Sequence, residues 1–236
     1  MKLYRNYLFD LYGTLVDVHT DEENDLLWKR LSIFLGTEGV YCTPDQLKQS
    51  YFTQVTDREQ QAGLERGNGA EIDIGPVFER IYRENGFSPS NRQVENLAKL
   101  FRIFSTEKLR LFPGTKEMLC RLKTAGKHVY LLSNAQAMFT LPELKALNLL
   151  QYFDGIVISS NEGLKKPDKG LYQLALERYG LDPQETVMVG NDDQADCWGA
   201  AAADLDSMYI FTEQSPRRTT PLPDNCRVLT TIGDVF

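Results

Sequence analysis

Histidine and cysteine are scarce in this sequence, and their scarcity excludes several kinds of site. The two histidines, His19 and His128, lie far apart, so they do not form the closely spaced ligand pair of a zinc site. The four cysteines show no CxxC spacing, and in a reducing compartment we expect them to be unpaired packing residues rather than catalytic groups. The sequence also lacks a Gly-rich phosphate loop of the Walker type.

Long apolar runs and an excess of basic residues are missing as well. No run approaches the roughly 20 residues that a membrane-spanning helix needs, and residues 1–6 lack the hydrophobic region of a signal peptide. The 26 Lys and Arg residues are outnumbered by 33 Asp and Glu residues, for a net charge of −7. A nucleic-acid surface or a polybasic membrane anchor needs the opposite balance. We therefore expect a cytoplasmic protein without nucleic-acid or membrane partners, either a monomer or a homodimer.

The hydrophobic periodicity indicates an α/β protein with an inserted helical segment. Tyr7-Leu8-Phe9 has the pattern of a short buried strand, and it is followed by about ninety residues with helical spacing. From Phe112 onward, strand and helix patterns alternate, which is typical of a doubly wound parallel sheet. With 42% hydrophobic residues in 236, the chain is long enough for such a core. We predict a core made of residues 1–17 and 109–236, with residues 18–108 as a separate helical bundle.

Local signals place four helices in the inserted segment. Thr43 before Pro44 is a typical helix start, and Ser90 is the predicted cap of the fourth helix. The first helix is predicted over residues 21–35, and a polar, glycine-containing stretch at residues 63–69 predicts a break after the second.

Polar side chains follow three of the predicted strands. Asp10 comes directly after the first strand, Ser133 ends the strand at 128–132, and Asp192 follows the strand at 186–190. Further strands are predicted at residues 153–159 and 208–211, and Lys166 precedes the helix at 169–179. Because the carboxyl ends of parallel strands open on one edge of a sheet, we expect these groups to converge there.

Each of these residue types suits one part of a phosphoryl transfer. The Asp10 carboxylate can attack as a nucleophile, and the Ser133 hydroxyl and Lys166 ammonium can bind the oxygens of an anion. Asp192, together with Asn191 or Asp196, offers the hard oxygen ligands that Mg²⁺ prefers. A bound cation would reduce the repulsion between an anionic nucleophile and an anionic phosphate.

A simpler interpretation exists for each residue. Asp10 and Ser133 could belong to ordinary turns, and Lys166 could be a solvated surface residue. The acidic pair Asp192 and Asp193 could complete the first turn of a helix and interact with its dipole. What favours a common site is the occurrence of all four features, in this order, at predicted strand ends.

Four segments resemble the four motifs of the haloacid dehalogenase-like hydrolase superfamily. They are Asp10-Leu11-Tyr12-Gly13-Thr14-Leu15, Leu132-Ser133-Asn134, Lys166-Pro167-Asp168 and Val189-Gly190-Asn191-Asp192 with Asp196. The resemblance implies a Rossmann-like core, a helical cap over the site, and Mg²⁺-dependent hydrolysis of a small phosphate ester through an aspartyl-phosphate intermediate. It implies these roles: catalysis by Asp10, Tyr12, Ser133 and Lys166; phosphate binding by Thr14, Ser133, Asn134 and Lys166; and metal binding by Asp10, the Tyr12 carbonyl and Asp192.

Two positions depart from the phosphatase pattern of that superfamily. Tyr12 stands where its phosphatases carry an acid/base Asp, and a phenol of ordinary pKa is a poor base at neutral pH. Asn191 stands where a metal-binding Asp is usual. Tyr12, Asn191 and Tyr172 instead resemble the metal-free 2-haloacid dehalogenases of the superfamily, which is the second prediction. The third is a phosphate-binding or regulatory protein that has the fold without turnover.

Overall fold

Strand β1 (Asn6–Phe9) lies at the centre of a parallel sheet, between β4 (His128–Ser133) and β6 (Thr186–Gly190). Its residues are almost fully buried, with Leu8 and Phe9 at 0% exposure, because helices cover both faces of a doubly wound sheet. The six strands follow the order β5 (Gly155–Ile158), β4, β1, β6, β7 (Asp206–Ile210) and β8 (Cys226–Leu229). The predicted fold class, a doubly wound parallel α/β core with a helical insert, is confirmed.

The computed structural model describes residues 3–236. The first two residues of the predicted segment 1–17 lie outside that range. The remaining elements of the core are α5 (Thr115–Thr124), α6 (Ala137–Ala146), β5 (Gly155–Ile158), α7 (Ser159–Glu162), α8 (Lys169–Tyr179), α9 (Gly199–Ala202), β7 (Asp206–Ile210) and β8 (Cys226–Leu229). Strand β8, at the edge of the sheet, was not predicted, since it is short and two of its four residues are exposed.

Two antiparallel strands, β2 (Val16–Thr20) and β3 (Thr106–Leu111), connect the core to the insert. The sequence analysis assigned no strands here, because the ribbon is two-stranded and its residues carry the charges of a linker. Those charges stabilise the ribbon: buried Asp17 accepts from Arg110 Nε at 2.9 Å and pairs with Lys108 at 2.8 Å. The predicted limits at residues 17/18 and 108/109 fall inside this ribbon.

The insert is a bundle of four helices: α1 (Asp25–Thr37), α2 (Pro44–Arg66), α3 (Gly75–Glu84) and α4 (Asn91–Ser105). Aromatic rings fill its interior, with Tyr51 and Phe101 at a centroid separation of 4.6 Å. Both predicted helix starts are confirmed as capping boxes, one at Thr43 and one at Ser90. The break predicted at residues 63–69 begins at Gly67, because α2 continues to Arg66, and α1 begins at Asp25 rather than at residue 21 because Asn24 is its cap.

The predictions about the cysteines and about membrane-spanning helices can be compared with the described residues. All four thiols, including the buried Cys197, are free. Within residues 3–236, none of the helices combines the length and the apolar character needed to cross a bilayer.

Candidate active site

Three strands end close together at the carboxyl edge of the sheet. Phe9 at the end of β1 is in register with Leu131 of β4 and with Val189 of β6. The main chain of Asp10 continues this pairing, since its N–H donates to the Val189 carbonyl at 3.0 Å. The turn that follows β1 therefore begins beside the ends of β4 and β6, and Asp10 lies between these two strands.

The Asp10 carboxylate is held by three donors. Its Oδ1 accepts from Lys166 Nζ at 2.8 Å and from Ser133 Oγ at 3.4 Å, and its Oδ2 accepts from Thr14 Oγ1 at 3.1 Å. Asp10 is 8% exposed, so one side of the carboxylate remains accessible. These four residues, which the sequence analysis selected from three motifs, thus form one hydrogen-bonded group.

Lys166 connects Asp10 to a second carboxylate. Its Nζ donates to Asp196 Oδ1 at 2.7 Å, and both side chains are 1% exposed. Burial by itself would lower the pKa of Lys166, but the charges of Asp10 and Asp196 outweigh it, so that pKa is raised and the ammonium persists. Asp196 packs over Gly190, where a Cβ would lie 2.0 Å from Asp196 Oδ2. The glycine is therefore required for the carboxylate to reach Lys166.

The Asn134 side chain positions Lys166 by two hydrogen bonds to the main chain of Lys166. Its Nδ2 donates to the Lys166 carbonyl at 2.8 Å, and its Oδ1 accepts the Lys166 N–H at 2.7 Å. Asn134 also lines the cavity beside Asp10. Contact with a phosphate stays a prediction for this residue, whereas the main-chain clamp is an observed role that the sequence pattern did not indicate.

The fourth motif divides its polar side chains between different tasks. Asn191 Oδ1 accepts from Thr14 Oγ1 at 3.0 Å. Asp192 Oδ1 accepts the N–H groups of Gln194 and Ala195, each at 2.9 Å, which caps a π-helical turn at Asp193–Trp198. Asp192 is half-buried and lines the cavity. It therefore caps a helical turn, as the simpler interpretation expected, and also lies beside Asp10.

The Tyr12 side chain makes its contacts at the junction of core and insert. Its hydroxyl donates to Glu143 Oε2 at 2.5 Å and lies 3.1 Å from Thr140 Oγ1. Glu143 accepts in turn from Arg102 Nε of α4 at 2.5 Å. Burial, with Glu143 alongside, raises the pKa of Tyr12 well above its ordinary value, so the phenol keeps its proton.

The motifs missed Glu143, which accepts from Tyr12, and Arg102, which donates to Glu143. A sequence signal for Glu143 existed, since it occupies a position on the buried face of α6 together with Phe139, Thr140 and Leu144. A glutamate at such a position needs a partner. Arg102 carried no comparable signal, because it lies in the last turn of an amphipathic helix where basic residues are common.

Tyr172, which supported the dehalogenase alternative, lies behind the site. Its side chain is fully buried, and its hydroxyl donates to the Ala195 carbonyl at 2.5 Å. It therefore braces the main chain just before Asp196 and does not line the cavity.

The cavity at this site has a volume of about 160 Å³. Within the part of the chain that the structure describes, no cluster of three or more His, Cys, Asp and Glu residues could hold a metal ion. All four motifs contribute residues to the cavity, together with two residues of the segment after β7. The lining residues are Asp10, Tyr12, Asn134, Lys166, Asn191, Asp192, Ala195, Asp196, Gln214 and Pro216.

Residues 4–204 match the family model for haloacid dehalogenase-like hydrolases. The chain belongs to this family. Among curated relatives, the phosphoserine phosphatase of Thermus thermophilus is 29% identical over 152 residues, which are 64% of this chain and 61% of that protein. This matched region leaves more than a third of the Thermus protein uncovered.

Solved structures of two activities share this fold. A haloacid dehalogenase-like phosphatase from Thermococcus onnurineus superposes with a TM-score of 0.63 at 21% identity, over 98% of this chain and 95% of that one. A 2-haloacid dehalogenase from Pseudomonas syringae pv. Tomato DC3000 superposes with a TM-score of 0.66 at 18% identity, over 99% of this chain and 96% of that one. The fold likeness therefore does not distinguish the two activities, and the choice between them depends on the site.

Gly13 is expected to be essential for the turn that carries the nucleophile. Its φ is +84°, and an added Cβ would lie 2.5 Å from Asn191 Nδ2. We expect Gly13→Ala to lower the free energy of unfolding by about 2–5 kcal/mol, from backbone strain and crowding together. Chemical denaturation measures this loss.

Gly39→Ala is the matched control. Gly39 has a φ of +86° but open space around the position of an added Cβ. We therefore expect Gly39→Ala to lower the free energy of unfolding by about 1–2 kcal/mol, from backbone strain alone. Equal losses in the two variants would show that the close approach to Asn191 has no energetic consequence.

Proposed function

We propose that this protein is a phosphatase that hydrolyses a small phosphorylated molecule through a phosphorylated Asp10. The observation that carries the proposal is the contact of one carboxylate, Asp10, with an ammonium and two hydroxyls beside a small polar cavity. The same donors that orient the nucleophile can bind phosphate oxygens, since Lys166 and Ser133 have directional N–H and O–H groups. The similarity to a phosphoserine phosphatase supports this choice.

In the first step, a carboxylate oxygen of Asp10 attacks phosphorus and the bond from phosphorus to the leaving oxygen breaks. Lys166 and Ser133 stabilise the negative charge on the transferring group, because their donors are already in place before the reaction. In the second step, water attacks the phosphorus of the aspartyl phosphate, the bond between Asp10 and phosphorus breaks so that Asp10 is released as a carboxylate, and the proton that water loses passes to solvent. Asp196 keeps Lys166 charged and oriented throughout.

A Mg²⁺ ion fits the donor set of this cavity. Asp10 and Asp192, which both line the cavity, would supply two carboxylates, and the Tyr12 carbonyl would be the third hard oxygen. Two carboxylates with remaining positions for water and phosphate are the usual protein ligands of Mg²⁺. When bound, the cation would reduce the charge repulsion between Asp10 and the phosphate.

Hydrolysis of p-nitrophenyl phosphate with and without Mg²⁺ tests the proposal. We expect metal-dependent release of phosphate by the native chain and none above background by Asp10→Asn. Phosphate binding without turnover would support the non-enzymatic alternative and remove the phosphatase.

The two acids of the fourth motif are expected to differ in their effect on the metal. We expect Asp192→Asn to raise the Mg²⁺ concentration for half-maximal activity by about 10–100-fold, because it removes a ligand charge while Asn keeps the Oδ1 that caps the following turn. Asp193→Asn is the matched control, since Asp193 is 2% exposed and its Oδ2 already accepts from Gln194 Nε2. Equal shifts, measured by Mg²⁺ titration of activity, would contradict this assignment of ligands.

Dehalogenation is the second candidate, and one observation favours it. The Tyr12 hydroxyl donates to Glu143, and Tyr12 stands where an acid/base Asp would be. A dehalogenase does not need such an acid, because a halide leaves without a proton. Tyr172 behind the site and the carboxylate of Asp192 in the cavity count against it. Halide release from 2-chloropropionate in the presence of EDTA, without phosphatase activity, would establish the dehalogenase.

A further inference from the structure

Two thiols from distant parts of the chain lie next to each other near the active site. Cys197 belongs to the π-helical turn Asp193–Trp198, which also carries Asp196, and Cys226 is the first residue of strand β8. Their Sγ atoms are 3.6 Å apart, although the two residues are separated by 29 positions in the sequence. A disulfide has a sulfur–sulfur distance of about 2.05 Å, so these atoms would have to approach by about 1.5 Å to form one.

The two thiols differ in their access to solvent. Cys197 is 0% exposed, whereas Cys226 is half-buried. The hydrogen bond between the thiols lowers the pKa of Cys226 below its ordinary value, against the opposing effect of burial. The thiolate is the form of cysteine that reacts with oxidants. An accessible thiol beside a second thiol is the usual arrangement of a cysteine that is oxidised and then resolved as a disulfide.

The turn that carries Cys197 has little room to move. The Tyr172 hydroxyl donates to the Ala195 carbonyl at 2.5 Å, just before Cys197. Just after it, a Cβ on Gly199 would lie 2.8 Å from Tyr172 Cε2 and 3.0 Å from Pro167 Cα. Strand β8, by contrast, lies at the edge of the sheet, where it pairs with β7. We therefore expect β8 to supply most of the movement that a disulfide requires.

The connection between β7 and β8, residues 211–225, forms part of the wall of the cavity. Gln214 and Pro216 of this segment line the cavity. Thr212 Oγ1 donates to the Gly13 carbonyl at 2.7 Å, so the segment also contacts the turn that carries the nucleophile. A bond that restricts residues 211–225 therefore acts on the wall of the active site.

The far end of this segment is held to the π-helical turn by exposed hydrogen bonds. Gln194 Nε2 donates to Thr220 Oγ1 at 2.9 Å, and Trp198 Nε1 donates to the Pro221 carbonyl at 3.1 Å. Exposed bonds of this kind contribute little net stability, because water competes for both partners. A covalent bond between the two thiols would fasten the segment to the same turn.

We propose that Cys197 and Cys226 are an oxidisable pair: a hydroperoxide converts them to a disulfide that fastens residues 211–225 against the active site. In a reducing compartment the pair stays as two thiols, and a small thiol reverses the bond by thiol–disulfide exchange. The inference goes beyond the proposed phosphatase function and does not depend on it, because neither thiol lines the cavity.

The oxidation takes place in two balanced steps. The Cys226 thiolate attacks one oxygen of hydrogen peroxide; a sulfur–oxygen bond forms, the oxygen–oxygen bond breaks, and the departing hydroxide takes up the proton that the thiol released. The Cys197 sulfur then attacks the sulfenic sulfur; the disulfide forms, the sulfur–oxygen bond breaks, and the departing hydroxide leaves as water with the Cys197 proton. The two thiols lose two electrons in total, and the peroxide is reduced to two water molecules.

The test uses a chain in which the other two cysteines are removed by Cys42→Ala and Cys120→Ser. The folded protein is treated with hydrogen peroxide, then denatured, blocked with N-ethylmaleimide and analysed by intact mass. We expect a loss of two hydrogen atoms without a maleimide adduct, and dithiothreitol should restore two reactive thiols. Two thiols that both remain reactive, or an oxygen added at Cys226 with Cys197 still free, would overturn the proposal.

Tryptic digestion assigns the bond. Arg217 and Arg218 lie between the two cysteines and are exposed. After denaturation and cleavage without a reducing agent, we expect the peptides that contain Cys197 and Cys226 to stay joined within one chain, and to separate with dithiothreitol. Joining between two copies of the chain instead would contradict an intramolecular pair.

Thermal unfolding measures whether the bond fastens the segment. A disulfide that closes a loop of this length restricts the unfolded chain, so we expect peroxide to raise the Tm of the two-cysteine chain by about 5–10 °C. Cys226→Ser in the same background is the matched control, and its Tm should not rise. A disulfide form with an equal or lower Tm would overturn the fastening. Phosphate release no greater than that of Asp10→Asn would instead overturn the phosphatase and leave this inference in place.

Discussion

Replacing Lys166 with methionine is expected to lower the free energy of unfolding by about 3–5 kcal/mol and to abolish phosphate release. The methionine fills most of the space but leaves the carboxylates of Asp10 and Asp196 buried without their common cation, and breaking a buried pair from one side has a cost of this size. Urea denaturation and phosphate release measure the two effects on the same preparation.

A double variant separates the structural loss from the catalytic one. Lys166→Met with Asp196→Asn removes one of the two uncompensated charges, so we expect it to recover a large part of the stability and none of the activity. Lys169→Met, at an exposed position in the first turn of α8, should change stability by less than about 0.5 kcal/mol. A native-like unfolding midpoint in Lys166→Met would contradict the ion-pair network described here.

Replacing Asp10 with asparagine is expected to reduce turnover of p-nitrophenyl phosphate by at least about 10³-fold, because an amide cannot form the phosphorylated intermediate. Stability should change little by comparison, since Asn Oδ1 can still accept from Lys166, and Lys166 keeps Asp196. Phosphate release measures the activity, and intact-protein mass after a rapid acid quench measures the phosphorylated form.

Asp17→Asn is the control for this variant. Asp17 is buried like Asp10, at 4% exposure, and is also paired with basic side chains, but these belong to the ribbon between core and insert. We expect this substitution to lower stability while kcat stays within about tenfold of the native value. Turnover that survives in Asp10→Asn would mean that water attacks the phosphate directly and that Asp10 has another role.

The local pattern of the sequence was enough to predict the central strands of the sheet and the main helix starts. Apolar runs that end in a polar residue predicted β1, β4 and β6, and the cap residues Thr43 and Ser90 marked their helices. These features depend on neighbouring residues, through side-chain burial and through main-chain N–H groups at helix ends. The edge strand β8 and the connecting ribbon were missed because their hydrophobic alternation is weak.

The partners of the site residues had to come from the tertiary structure. The chemical types at positions 10, 133 and 166 could be read as a nucleophile and two anion-binding groups, and a parallel sheet predicts that strand ends converge. The pairing of Tyr12 with Glu143, 131 residues away, depends on how α6 packs beside α4. The order of residues determined which groups follow the strands. The packing of the core against the insert determined that Tyr12 keeps its proton, because its pKa depends on burial and on Glu143, which is far away in the chain.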